Sequence, residues 1–166
     1  MSQATILFGS TMGNTRQAAE QIQTLLGGNL IEVANATQED FEHAELLVLG
    51  VSTWGAGDLQ DDWLTALPVF EKANLEGKCI AVFGLGDQVS YPDTFVDAMG
   101  VLAEMASAQG ATLIGKTPTD GYDFIASVAA KDGWFAGLVL DEDNQGDLSD
   151  ERIRNWVDQL KAELAD

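Results

Sequence analysis

The sequence predicts an α/β fold: a single doubly wound, five-stranded parallel sheet with an insertion in its fifth strand. Short apolar runs recur along the chain and read as buried strands. Amphipathic helical segments separate them, and that alternation requires parallel strands with crossovers on both faces. The 166 residues, 46% of them hydrophobic, suffice for one domain with a sizeable core. No linker, repeat or low-complexity tract divides them, so one domain over 1–166 is expected.

The elements follow in order. Thr5–Gly9 is the first strand, and the helix after it, Thr15–Leu26, places Ala18, Ile22, Leu25 and Leu26 on one face. Leu30–Val33 and Leu46–Val51 are the next strands. Asp62–Phe70 reads as a helix whose end Pro68 leaves open. After the strand Cys79–Gly84, the helix Phe95–Gln109 buries Phe95, Met99, Leu102 and Ala106. The last helix, Ser149–Leu164, has Ser149 as N-cap, Asp150 and Glu151 in its first turn, and Ile153, Trp156, Val157, Leu160 and Leu164 inward. Thr112–Ile114 and Gly137–Leu140 are two pieces of the fifth strand. The stretch between them, about 117–137, holds Tyr122, Phe124, Trp134 and Phe135 and is expected to be an ordered insertion.

Charge and rare residues exclude several classes. With 27 acids against 8 bases the formal charge is −19, which argues against nucleic acid and anionic membranes. No basic segment followed by an apolar one opens the sequence, and no apolar run approaches membrane-spanning length, so a soluble, cytoplasmic monomer is expected. Cys79, the lone cysteine, reads as a buried, inert thiol. His43, the lone histidine, lies in a polar, acidic connection, which argues against a Ser-His-Asp triad and against a zinc site. Gly110–Thr117 matches the letters of a Walker A motif, but its middle is a strand and no helix follows. Asp141–Gly146 begins like a calcium loop, yet Arg152 stands where a bidentate glutamate is needed, so a solvated acidic turn is expected.

In such sheets ligands bind beyond the carboxyl ends of strands at the switch point, which selects three loops. Ser10-Thr11-Met12-Gly13-Asn14-Thr15 joins a strand to a helix N-terminus, where unpaired N–H groups, the helix dipole and hydroxyls can hold a phosphate. Alone, it is equally an ordinary helix entrance. Ser52–Asp62 carries Trp54 beside Gly55 and Gly57, and a flat indole there can cover a planar ligand. Gly84–Asp93 adds Tyr91 and a glycine-rich turn.

Taken together, Ser10–Thr15, Thr53-Trp54-Gly55, and Gly84-Leu85-Gly86-Asp87 with Tyr91 resemble the FMN site of the flavodoxins, and the insertion resembles their long-chain branch. The resemblance spans essentially the whole chain and implies strand order 2-1-3-4-5. It implies that Ser10, Thr11, Asn14 and Thr15 bind the FMN phosphate, with N–H groups from Met12 and Gly13. Trp54 and Tyr91 would cover the two ring faces. Backbone groups around Thr53, Gly86 and Asp87 would meet the ribityl chain and ring edge, the Gly55–Ala56 peptide would turn its carbonyl to flavin N5–H, and Gly57 would belong to the same cofactor-binding set. Met12 stands where the family usually has threonine, so weaker phosphate binding is expected. Arg16 stands where an acid is common.

The implied function is a low-potential one-electron carrier cycling mainly between semiquinone and hydroquinone, not an enzyme. A quinone or nitro reductase on the same fold is the alternative, and a phosphoacceptor domain lacks its acids after the first and third strands. The second and third loops contain no Lys or Arg, while Asp58, Asp61, Asp62, Asp87 and Asp93 add like charge that disfavours an anionic reduced flavin. The expected partners are basic-surfaced redox proteins, a reductase donor and a low-potential acceptor, met through transient contacts.

Overall fold

The computed structural model describes residues 4–9, 13–54 and 57–165. The chain runs β1 (Ala4–Phe8), α1 (Asn14–Leu26), β2 (Asn29–Glu32), a 3-10 turn, α2 (Gln38–Glu42), β3 (Leu46–Trp54), β4 (Asp58–Leu59) and α3 (Asp61–Lys72). It continues with β5 (Cys79–Leu85), α4 (Asp97–Ala108), β6 (Thr112–Leu113), β7 (Thr117–Pro118), β8 (Ala130–Lys131), β9 (Trp134–Phe135), β10 (Leu138–Leu140), α5 (Glu142–Gln145) and α6 (Ser149–Leu164).

The main sheet has the order β10-β5-β3-β1-β2, with β6 also on β5 and β4 folded back on β3. Apart from β4 its pairings are parallel, β1 meeting β3 with Thr5 opposite Leu47 and β3 meeting β5 with Ser52 opposite Leu85. The fifth strand is split as expected: Thr112 and Leu113 lie opposite Cys79 and Ile80, and Leu138–Leu140 opposite Phe83–Leu85. Between the pieces the chain makes a small antiparallel sheet, β7-β9-β8. Phe135 sits at its base, with Tyr122 and Phe124 packed around it and Phe95, ring centroids 5.1–6.1 Å apart.

Alternating strand residues feed two cores. Ile6, Phe8, Val48 and Phe83 pack under α1 and α6 through Ile22, Ile153, Trp156 and Leu160. Leu7, Leu47, Leu49 and Val82 pack under α2, α3 and α4 through Phe41, Trp63, Phe70, Met99 and Leu102.

Several boundaries differ from the sequence expectation. α3 continues past Phe70 to Lys72, with Pro68 and the residue four before it, Leu64, both on the exposed face of the helix. α4 begins at Asp97, two residues later than expected, since buried Val96 takes the left-handed conformation (φ 48°) that no helix continues. Ser149 does not cap α6; it is the first helical residue, and its hydroxyl donates to Glu142. The short α2 was not anticipated, although Thr37 and Asp40 form a reciprocal capping box at its start. Cys79 is half-buried rather than buried.

Candidate functional site

Since β1, β3 and β5 are adjacent, the loops leaving their carboxyl ends are neighbours at one end of the sheet. The first meets the N-terminus of α1. Gly13 caps that helix in the left-handed conformation (φ 90°), and among the described residues beyond its chain neighbours nothing stands within 4 Å of where a Cβ would be. On a chain of charge −19, the first turn of this helix holds no acidic residue. A dipole end free of carboxylates suits an anion. Asn14 is exposed and Thr15 buried. Arg16 is paired with Glu32 and lies over the Phe8 ring, 5.1 Å from its centroid. The expected site residues Ser10, Thr11 and Met12 lie outside the described residues, as do Gly55 and Ala56 in the second loop.

In the second loop, β3 runs three residues beyond its expected end and β4 returns antiparallel, Trp54 opposite Asp58. Trp54 is 41% exposed, and its indole N–H donates to Ser52 Oγ at 2.9 Å. Thr53 is turned the other way: its Oγ1 accepts from the Ala98 N–H at 3.0 Å, tying this loop to the start of α4. Gly57 has φ 97°, and a Cβ there would stand 3.0 Å from Asp97 Oδ2.

The third loop winds around the Asp87 carboxylate, whose Oδ1 accepts from Val89 N–H (3.1 Å), Ser90 N–H (2.9 Å) and Asn144 Nδ2 (2.8 Å). Burial raises the pKa of Asp87, but the bonds from Ser90, Asn144 and Val89 outweigh it and hold the group below its ordinary value. The Tyr91 N–H donates to the Asp87 carbonyl at 2.9 Å, which leaves the ring 47% exposed at the loop's tip. Gly86 N–H is fixed by the Leu140 carbonyl at 3.1 Å.

Four contributors escaped the sequence reading. Gln88, within the third loop, is buried together with Asp141, and Asn144 bridges Asp141 and Asp87. Asp141 is therefore no solvated turn residue: it is 0% exposed and caps α5 by accepting from Asn144 N–H. The fourth is Asp97. Its Oδ1 accepts from Val128 N–H of the insertion at 2.9 Å, while Oδ2 faces Gly57.

Burial raises the Asp97 pKa against the lowering effect of the Val128 bond. A raised carboxyl contributes stability below its unfolded pKa and loses it as pH rises through the folded one. Asp97→Asn is therefore expected to raise the thermal midpoint at pH 7, with the difference vanishing near pH 3, where both side chains are neutral. Calorimetry at the two pH values checks this.

Among the described residues no cluster of His, Cys, Asp or Glu could hold a metal, and no helix is long and apolar enough to cross a membrane. A doubly wound sheet with a carboxylate-free helix N-terminus and two half-exposed aromatics on adjacent strand-end loops is a ligand-binding α/β protein of switch-point type. Comparison with known proteins makes the class specific. The flavodoxin family profile matches residues 6–156. The chain is 44% identical to flavodoxin from Trichodesmium erythraeum over 99% of both chains. It is 43% identical to flavodoxin 1 from Salmonella typhimurium over 96% of this chain and 93% of that one. Among solved structures, a Fusobacterium nucleatum flavodoxin variant bound to flavin mononucleotide superposes with a TM-score of 0.92 at 28% identity, covering 98% and 97% of the two chains. The chain belongs to the flavodoxin family.

Proposed function

We propose that the protein is a low-potential one-electron carrier that holds FMN non-covalently and serves basic-surfaced redox partners in the cytoplasm. The observation that carries this reading is the pair of half-exposed rings, Trp54 and Tyr91, on the loops next to the N-terminus of α1. When bound, FMN supplies a ring that accepts two electrons in separate steps.

The residues present suit that group. The turn 10–15 would hold the phosphate, with Gly13, Asn14 and Thr15 at the start of α1. Trp54 and Tyr91 would cover the ring and keep water from it. Thr53, Gly86 and Asp87 are each held by bonds to α4, Leu140 or the third loop's own amides, which suits residues that would line the ligand.

Asp58, Asp61 and Asp93 are exposed and Asp62 partly so, and no lysine or arginine stands in the second or third loop. At about 12 Å in water-like dielectric each carboxylate opposes added negative charge by about 15 mV. Neutralising Asp58, Asp61 and Asp62 together to asparagine is therefore expected to raise the second one-electron potential by several tens of millivolts at low salt, and less at high salt. Redox titration at two ionic strengths measures it. The same acids would steer basic partners through weak, salt-sensitive encounters.

The reading is tested by loading the protein with FMN and reducing it stepwise. A yellow protein that passes through a stable blue stage supports it. A colourless protein that takes up no FMN overturns it, as does direct bleaching with turnover of a quinone by NAD(P)H.

A further inference from the structure

The third loop carries exposed side chains, Val89 at 70% and Tyr91 at 47%, yet between Asp87 and Val89 stands a glutamine only 4% exposed. Glutamine is rarely buried without a task for its amide. Every polar atom of the Gln88 side chain is engaged by a distant segment. Its Nε2 donates to Asp141 Oδ2 at 2.8 Å, beside its own backbone N–H to the same oxygen at 3.0 Å. Its Oε1 accepts from the Asp123 N–H of the insertion at 2.6 Å. Three stretches of chain, the third loop, the end of β10 and the insertion, thus meet at one amide. Asn144 adds a second grip from the surface, its Nδ2 reaching Asp141 Oδ2 at 2.9 Å and Asp87 Oδ1 at 2.8 Å.

We infer that Gln88 is a positioning residue, whose buried amide fastens the Tyr91 loop to the insertion and to Asp141 and so sets where that loop meets the flavin ring. The inference rests on the FMN reading above. Asp141 is fully buried, and among the described residues its carboxylate accepts from Gln88 and Asn144. Bonds to a buried carboxylate are among the strong ones, and loss of one frees the loop it holds. The insertion reaches the third loop through the Asp123 N–H, which donates to the Gln88 amide oxygen.

The test compares Gln88→Leu with the unaltered protein, using FMN, riboflavin (the same ring without phosphate) and amide hydrogen exchange over 86–91 in the flavin-free protein. Both flavins are expected to weaken by the same factor, about tenfold, and exchange over 86–91 to accelerate. A merely structural role would lower the unfolding midpoint and leave the flavin affinity of the folded protein unchanged; that result overturns the inference. So does a loss confined to FMN, which would place the effect at the phosphate end. Asn144→Ala, at an exposed position, is the second variant. It is expected to act in the same direction by a few-fold, and unchanged riboflavin affinity and exchange in it overturn the inference even where Gln88→Leu does not fold. If the unaltered protein takes up neither flavin, the FMN reading falls, while exchange over 86–91 still decides whether Gln88 holds the loop.

Discussion

Trp63→Ala is expected to lower the unfolding free energy of the flavin-free protein by about 3–5 kcal/mol. The side chain is 0% exposed and sits edge-on to Phe70, ring centroids 6.0 Å apart, with Phe41 at 6.3 Å. Its removal opens a large cavity where α2, α3 and the sheet meet. The indole N–H also donates to the Gly50 carbonyl at 2.7 Å, an oxygen that accepts from Gly9 N–H at 3.3 Å as well. Trp63 therefore ties the start of α3 to the exits of β1 and β3, where the first two site loops begin. Trp63→Phe keeps most of the volume and loses the hydrogen bond, and is expected to cost only about 1–2 kcal/mol. Urea unfolding monitored by circular dichroism separates the two variants, provided the slope with denaturant is unchanged.

Trp54→Ala should do the opposite. The indole is 41% exposed and its bond to Ser52 is local, so unfolding of the flavin-free protein should change by less than about 0.5 kcal/mol. Stacking of an aromatic side chain on a heterocycle is worth about 1–3 kcal/mol. FMN affinity is then expected to fall about five- to 150-fold, as read from recovery of flavin fluorescence. An unchanged affinity would remove Trp54 from the ring site. The contrast expected between the two tryptophans starts from their burial, Trp63 being fully enclosed and Trp54 41% exposed.

The sheet was legible in the sequence because its strands are buried on both faces and read as unbroken apolar runs, as in Leu46–Val51. The split last strand was legible too, since Thr112–Leu113 and Leu138–Leu140 flank an aromatic-rich stretch with turn residues. What escaped depends on partners far along the chain. Gln88 is an ordinary loop residue until Asp141 and Asp123, 53 and 35 positions away, come beneath it. Asp141 stands in an acidic run whose neighbours Glu142 and Asp143 do face water, so no local pattern distinguishes it. The left-handed turn at Val96 is likewise imposed by packing, for a β-branched residue gives no signal for that conformation. Strand ends alone selected the three candidate loops that carry Trp54 and Tyr91, whereas Thr53, Gly86 and Asp87 were singled out by the resemblance, and the bond that Thr53 Oγ1 accepts from the Ala98 N–H had no sequence signal.

The interrupted strand has a consequence for protein engineering. Leu113 pairs with Ile80 and Leu138 with Phe83, so only Ala81 and Val82 separate the points where the chain leaves the edge of the sheet and rejoins it. A segment anchored so closely at both ends is a natural graft port: a foreign hairpin or sensor module entering there would meet preset anchor points and a short closure. The host would keep its edge strand, but the graft would have to supply its own replacement for the Asp123 amide, or the Tyr91 loop would lose its mooring.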